Sequence, residues 1–179
     1  GDDMAQMPTN IKGAMLTCIL SDTLEFRSPT TTQEDTAIAH ALAKDLGIDI
    51  AEYAAQMFAA KSDVSSFSEA ELLRMDSKEY EVDGKKFRVS VLETTSPAAV
   101  LNRKDALMAA MPGVATEDGA DQVLLFVVDI LNEEATMLIP NDFTKSVAEK
   151  SFGATVTGDS VVLPGVMSRK KQIIPNIKV

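Results

Sequence analysis

A polar, serine-rich segment at residues 61–67 separates two stretches of the chain that have different hydrophobic patterns. Before this segment, apolar residues recur at helical spacing, as in Ile11, Met15 and Ile19. After it, the alternation typical of strands appears together with further helical stretches. The segment therefore predicts a linker between a helical part, residues 1–60, and an α/β part, residues 68–179.

The first part predicts three helices. Thr9 is placed to cap a helix that runs to Asp22. Thr31, with a glutamate three residues later, is typical of a capping box for a second helix, which should end at Gly47. A third, short helix is expected over about residues 50–60.

The second part predicts a mixed sheet flanked by helices. A capping box at Ser68 begins a helix, and Asp83-Gly84 predicts a tight hairpin before a half-buried strand around Val89. The other expected elements are a helix at 97–111, a central strand at 123–131, its neighbour at 135–139 and a hairpin at 157–160 that joins two short strands. The predicted fold class is α/β.

Composition excludes several classes of protein. The formal net charge is -10, which argues against a nucleic-acid partner, because a phosphate backbone requires a broad basic face. The longest apolar run, Val123 to Val128, is too short to span a bilayer, so no membrane partner is expected. These features predict a cytoplasmic protein.

One compact cluster of positive charge interrupts this acidic composition. Residues 168–172 read Ser-Arg-Lys-Lys-Gln, and no acidic residue follows Asp159. The planar fork of Arg169 can grip phosphate oxygens in a bidentate way, while Lys170 adds a mobile point charge. The cluster predicts either an anion site or a solvated basic tail.

Three blocks of the sequence resemble one known family. Residues 168–172 followed by Ile-Ile-Pro look like the C-terminal signature of the family II (manganese-dependent) inorganic pyrophosphatases of the DHH phosphoesterase superfamily. Residues 20–30, Leu-Ser-Asp-Thr-Leu continuing through Phe-Arg-Ser-Pro-Thr, are similar to the segment that closes the metal-binding domain of that family. Residues 76–80 resemble the start of its C-terminal domain.

The resemblance implies a role for each part of the chain. Residues 1–60 would be the C-terminal helical segment of the DHH metal-binding domain, and residues 68–179 the DHH-associated C-terminal substrate-binding domain. Asp22 would be a ligand of Mn²⁺, or of Co²⁺ or Mg²⁺. Arg169, Lys170 and Lys78 would bind pyrophosphate and assist its hydrolysis to two phosphates.

The chain departs from the family where the metal centre is concerned. The family builds that centre from a His-x-x-x-Asp-x-Asp motif, a further aspartate and an Asp-His-His motif, whereas the only histidine here is His40. We therefore expect this chain to be the C-terminal part of a longer enzyme that has an N-terminal DHH domain in cis. A homodimer of that enzyme is compatible with the resemblance. This chain alone is expected to be inactive and to bind no metal.

Other interpretations of the residues stay open at this point. Asp22 could instead cap the turn that follows it, and Lys78 could be an ordinary exposed lysine. The substrate could be a longer polyphosphate, as in the related exopolyphosphatases. The chain could also be a non-catalytic module that binds phosphate or a protein.

Overall fold

The computed structural model describes residues 6–28 and 30–179, so Pro29, within the second resembling block, lies outside the described residues. The chain divides into two compact units, Gly1–Lys61 and Ser62–Val179. In the described part of the chain, no helix is both long and apolar enough to cross a membrane.

The described part of the first unit contains three helices, as predicted: α1 (Thr9–Asp22), α2 (Gln33–Leu46) and α3 (Ile50–Lys61). Their buried apolar side chains, which form one core, are Leu16, Leu20, Ala39, Leu42, Ala43, Ala54 and Phe58. Gly47 ends α2 with φ 66°, a left-handed conformation that glycine adopts without strain and that confirms the predicted helix end.

Two predicted helix starts were wrong by one residue. Pro8, not Thr9, occupies the N-cap of α1, where no side chain caps the helix. The capping box of α2 uses Thr32 and Asp35: Asp35 N donates to Thr32 Oγ1 (3.1 Å), and Thr32 N donates to Asp35 Oδ2 (2.9 Å). The pairs 31/34 and 32/35 both fit the sequence pattern, and the extended backbone at Thr32 selects the second.

The second unit, all of which is described, forms a five-stranded sheet in the order β1-β2-β3-β4-β5. Strands β2 and β3 are parallel, and every other neighbouring pair is antiparallel. Its elements are α4 (Glu69–Met75), β1 (Ser77–Val82), β2 (Lys85–Thr94), α5 (Pro97–Leu101), α6 (Lys104–Glu117), β3 (Gln122–Asp129), β4 (Glu134–Leu138), α7 (Asp142–Phe152) and β5 (Ser160–Pro164). The predicted α/β class is confirmed.

Helices cover both faces of this sheet. On one face, Leu125 of β3 belongs to an apolar cluster with Leu72 of α4 and Leu107 of α6. On the other face, Phe126 of β3 belongs to a cluster with Val147 of α7. Because alternate side chains of β3 enter opposite cores, the strand is apolar from Val123 to Val128, which confirms its predicted central place.

The structure corrects two predicted elements of the second unit. The helix expected at 97–111 is broken at Asn102 and Arg103, where Arg103 donates to the carbonyl oxygens of Val64 and Phe67 (both 2.8 Å). The hairpin expected at 157–160 was also wrong. Only the segment after it is a strand, β5, which pairs with β4, whereas the preceding structure is helix α7.

Ion pairs fix the junction between α4 and β1. Arg74 donates Nε to Asp118 Oδ2 (3.2 Å) and Nη2 to Asp118 Oδ1 (3.1 Å), where α6 ends. The hydrogen bonds from Arg74, and the nearby charge of Arg88, lower the pKa of Asp118 below its ordinary value. These ion pairs therefore hold the end of α4 in place just before Asp76 and Lys78.

Candidate anion site

Lys78, Arg169 and Lys170 line one pocket of about 730 Å³ in the second unit. The structure thus brings together cations from two segments that lie far apart in the sequence. The other lining residues are Asp76, Tyr80, Val91, Glu93, Met167 and Ser168.

The first cationic segment takes its orientation from the sheet. Strand β1 is one of the two edge strands of the sheet, and Lys78 pairs in register with Val89 of β2. Because side chains alternate along a strand, Lys78 and Tyr80 share a face with Val91 and Glu93 of β2. The same face carries the core that includes Val89, so the exposed Lys78 extends from the edge of a buried apolar surface.

The second cationic segment is a single π-helical turn, Arg169–Ile173. The carbonyl oxygen of Ser168 accepts from both Gln172 N (2.9 Å) and Ile173 N (3.0 Å), which gives the wider turn. The side chain of Ile173 is fully buried in the same core as β2. This buried anchor holds the turn against the sheet while Lys170 remains exposed.

Gln172 closes the loop that precedes this turn. Its Oε1 accepts from Met167 N and Ser168 N (both 2.9 Å), and its Nε2 donates to Gly165 O (2.6 Å). Gly165 has φ 74°, in the left-handed region that favours glycine. Sequence reasoning missed this role, although an amide side chain directly after three charged residues was the available signal.

Arg169 is the most enclosed of the three cations. Its Nη1 donates to the main-chain oxygen of Asp76 (2.8 Å) and lies 2.8 Å from Asp76 Oδ1. Its side chain is 16% exposed. Within residues 6–28 and 30–179, neither Lys78 nor Lys170 makes an ion pair, and Lys171 does not line the pocket.

Asp22 belongs to the first unit, where it is the last residue of α1 and is exposed. The next residue, Thr23, caps the following turn, because its Oγ1 accepts from Phe26 N (3.2 Å) and donates to Ile19 O (2.6 Å). In the described part of the chain, the Asp22 carboxylate makes no hydrogen bond or ion pair. The Asp22 side chain therefore does not serve as the cap of this turn.

The turn after Asp22 is strained. Leu24, Glu25 and Phe26 have φ of 49°, 54° and 67° in succession. Each non-glycine residue in this left-handed region costs about 1–2 kcal/mol. Strained backbone of this kind clusters at functional sites, and no sequence signal indicated it.

The described residues do not by themselves form a metal centre. Among residues 6–28 and 30–179, no group of three or more His, Cys, Asp or Glu side chains could hold a metal ion. Asp22 offers one hard oxygen ligand, which suits Mn²⁺ or Mg²⁺ but is a single donor. His40 is exposed and stacks on Phe26, with ring centroids 5.8 Å apart.

A family model described as the DHHA2 domain matches residues 55–179. The chain belongs to the DHHA2 domain family. The matched range includes both cationic segments of the pocket, Lys78 and the turn that begins at Arg169. The cationic pocket is therefore a feature of the DHHA2 domain of this chain.

Curated relatives agree with this assignment. The chain is similar to a "Probable manganese-dependent inorganic pyrophosphatase" of Lactobacillus acidophilus, with 37% identity over 95% of this chain and 55% of the relative. It is also similar to a protein of that name from Deinococcus radiodurans, with 44% identity over 92% of this chain and 54% of the relative. The chain thus spans about half the length of these relatives and aligns with their C-terminal part.

A solved structure agrees as well. The chain resembles a crystal structure of a Methanococcus jannaschii protein described as a "putative family II inorganic pyrophosphatase". The TM-score is 0.59 and the identity 34%, over 96% of this DHHA2 chain and 55% of that protein. The resemblance predicted from three short blocks is confirmed by these comparisons.

Proposed function

We propose that this chain is the C-terminal part of a family II inorganic pyrophosphatase, in which it supplies the cationic site for pyrophosphate. The observation that carries the proposal is the pocket in which Lys78, Arg169 and Lys170 meet. The names of the similar proteins support the same substrate. On this proposal the enzyme acts in the cytoplasm and converts pyrophosphate to two phosphates.

The three cations would have distinct tasks. The planar guanidinium of Arg169 suits bidentate contact with two phosphate oxygens, whereas each lysine neutralises charge as a mobile point. Positive charge positioned near the leaving phosphate also stabilises the charge that develops there in the transition state. Lys78 and Lys170 are suited to this because, among the described residues, no carboxylate pairs with them.

Asp22 would be one ligand of the manganese that the relatives' names imply. Its exposed, unpaired carboxylate and the strained turn after it support this role. The other ligands would come from an N-terminal DHH domain in cis, which the greater length of the relatives supports. Divalent metals in such sites supply a hydroxide nucleophile. The role left to this chain's own cations is to bind and neutralise the anion.

Residues 61–67 would connect the two parts, as the sequence predicts. Ser62 Oγ lies 3.0 Å from Thr95 Oγ1, and Arg103 binds the carbonyl oxygens of Val64 and Phe67. From Ser62 onward, this segment is therefore attached to the rest of the second unit. Any hinge is best sought near Lys61, where the two compact units divide.

The test is phosphate release by the full-length protein with Mn²⁺, from pyrophosphate and from tripolyphosphate in parallel. We expect pyrophosphate to be the better substrate, and Lys78→Ala and Lys170→Ala each to lower kcat/KM by roughly ten- to a hundredfold, as for a lost charge-assisted contact. A preference for tripolyphosphate would instead indicate that the substrate is a longer polyphosphate. Wild-type rates in both variants would show that neither lysine belongs to the substrate site.

A further inference from the structure

We infer that Asp76 is a positioning residue for Arg169, an inference that rests on the function proposed above. Asp76 lies two residues before Lys78, at the junction of α4 and β1. It contacts the Arg169 guanidinium through both its main-chain oxygen and its carboxylate, each at 2.8 Å. One residue thus joins the two cationic segments of the pocket.

The contact uses only one edge of the guanidinium. Arginine has five N–H donors, and both contacts to Asp76 involve Nη1. Within residues 6–28 and 30–179, Nη2 and Nε of Arg169 make no hydrogen bond. Holding Nη1 therefore leaves the opposite edge of the fork for the two oxygens of a phosphate.

The anchor itself is rigid. The main-chain oxygen of Asp76 also accepts from Val91 N (2.9 Å), which attaches it to the buried part of β2. The Asp76 side chain is 56% exposed and makes no other ion pair or hydrogen bond in the described part of the chain. Its carboxylate is therefore not needed to hold the backbone, and its pairing with Arg169 is its evident task.

A carboxylate in an anion pocket has two opposing effects. Through space, its negative charge repels pyrophosphate, so removing it should strengthen binding. Through Arg169, it fixes the geometry of the fork, so removing it should weaken catalysis. Glu93 separates these effects, because it lines the same pocket and, among the described residues, makes no hydrogen bond or ion pair with Arg169.

The experiment compares Asp76→Ala with Glu93→Ala in the full-length protein by pyrophosphate hydrolysis with saturating Mn²⁺. We expect Asp76→Ala to lower kcat/KM about tenfold, which corresponds to a loss of about 1.4 kcal/mol of transition-state stabilisation. Glu93→Ala should raise it slightly, by less than about threefold. In an Arg169→Ala background, Asp76→Ala should cause no further loss, because a positioning residue has no effect without its partner.

Each outcome decides between the alternatives. Equal effects of Asp76→Ala and Glu93→Ala, or a full additional loss in the Arg169→Ala background, would overturn the positioning role while leaving the proposed function intact. A wild-type protein that does not hydrolyse pyrophosphate would overturn the proposed function, and the inference with it. If Asp76→Ala does not fold, Asp76→Asn replaces it, with a smaller expected loss because the amide oxygen still accepts a hydrogen bond.

Discussion

At the scale of single residues, Arg169 differs from the lysines beside it because its fork is fixed on one edge. Arg169→Lys keeps the charge but loses both the planar fork and the Nη1 contact to Asp76. We expect kcat/KM for pyrophosphate to fall about tenfold or more in the full-length protein. Lys171→Ala is the matched control, since Lys171 is exposed and does not line the pocket. Similar values for both variants would contradict the role of the fork.

Asp22 invites a second test at this scale. Asp22→Asn keeps the size of the side chain and loses its charge, so the affinity for Mn²⁺ should fall at least about tenfold while the fold is retained. Manganese titration of the full-length protein measures this, with Glu34→Gln as an exposed acidic control in α2. If both variants bind Mn²⁺ like the wild type, Asp22 is not a ligand.

At the scale of elements, the start of α2 offers a test between two adjacent threonines. Thr32→Ala removes the side-chain oxygen that caps Asp35 N, so the free energy of unfolding should fall by about 0.5–2 kcal/mol. Thr31 Oγ1 is buried and has no hydrogen-bond partner among the described residues, so Thr31→Ala should be nearly neutral. Thermal unfolding of the two variants measures the difference. The reverse order would restore the capping box predicted from the sequence.

Elements whose signals are local could be predicted from the sequence. The apolar run of β3, the Asp83-Gly84 turn and the end of α2 at Gly47 each depend on neighbouring residues. Elements that depend on residues distant in the sequence were predicted wrongly. The break at Arg103 follows from carbonyl oxygens that lie more than thirty residues earlier. Strand β5 pairs with β4, from which helix α7 separates it in the sequence, and not with a strand directly before it.

The same distinction applies to the candidate site. The family resemblance indicated Lys78, Arg169 and Lys170, and the structure places all three around one pocket. The contact of Asp76 with Arg169 could not be predicted, because no pattern in one sequence pairs residues so far apart. The contacts of Gln172 are local, and its place directly after three charged residues was a signal for them that sequence reasoning did not use.

At the scale of the whole molecule, we expect the chain of 179 residues to lack appreciable pyrophosphatase activity with Mn²⁺, Mg²⁺ or Co²⁺. The physical reason is that Asp22 alone cannot assemble two metals, and two metals are what an in-line displacement of this kind uses. Phosphate release by the purified chain measures it, with Lys170→Ala as the control for a contaminating enzyme. Robust release that Lys170→Ala abolishes would contradict both the metal assignment and the proposal that further ligands lie elsewhere.

The pairing of Asp76 with Arg169 also has a consequence for protein synthesis. The two residues are 93 positions apart, so at about 5–20 residues per second a ribosome adds Arg169 roughly 5 to 20 seconds after Asp76. During that interval the hairpin of β1 and β2 can form, because its contacts are local. A nascent chain therefore displays Lys78 before Arg169 can join it, and the three cations of the pocket are complete only after this late step.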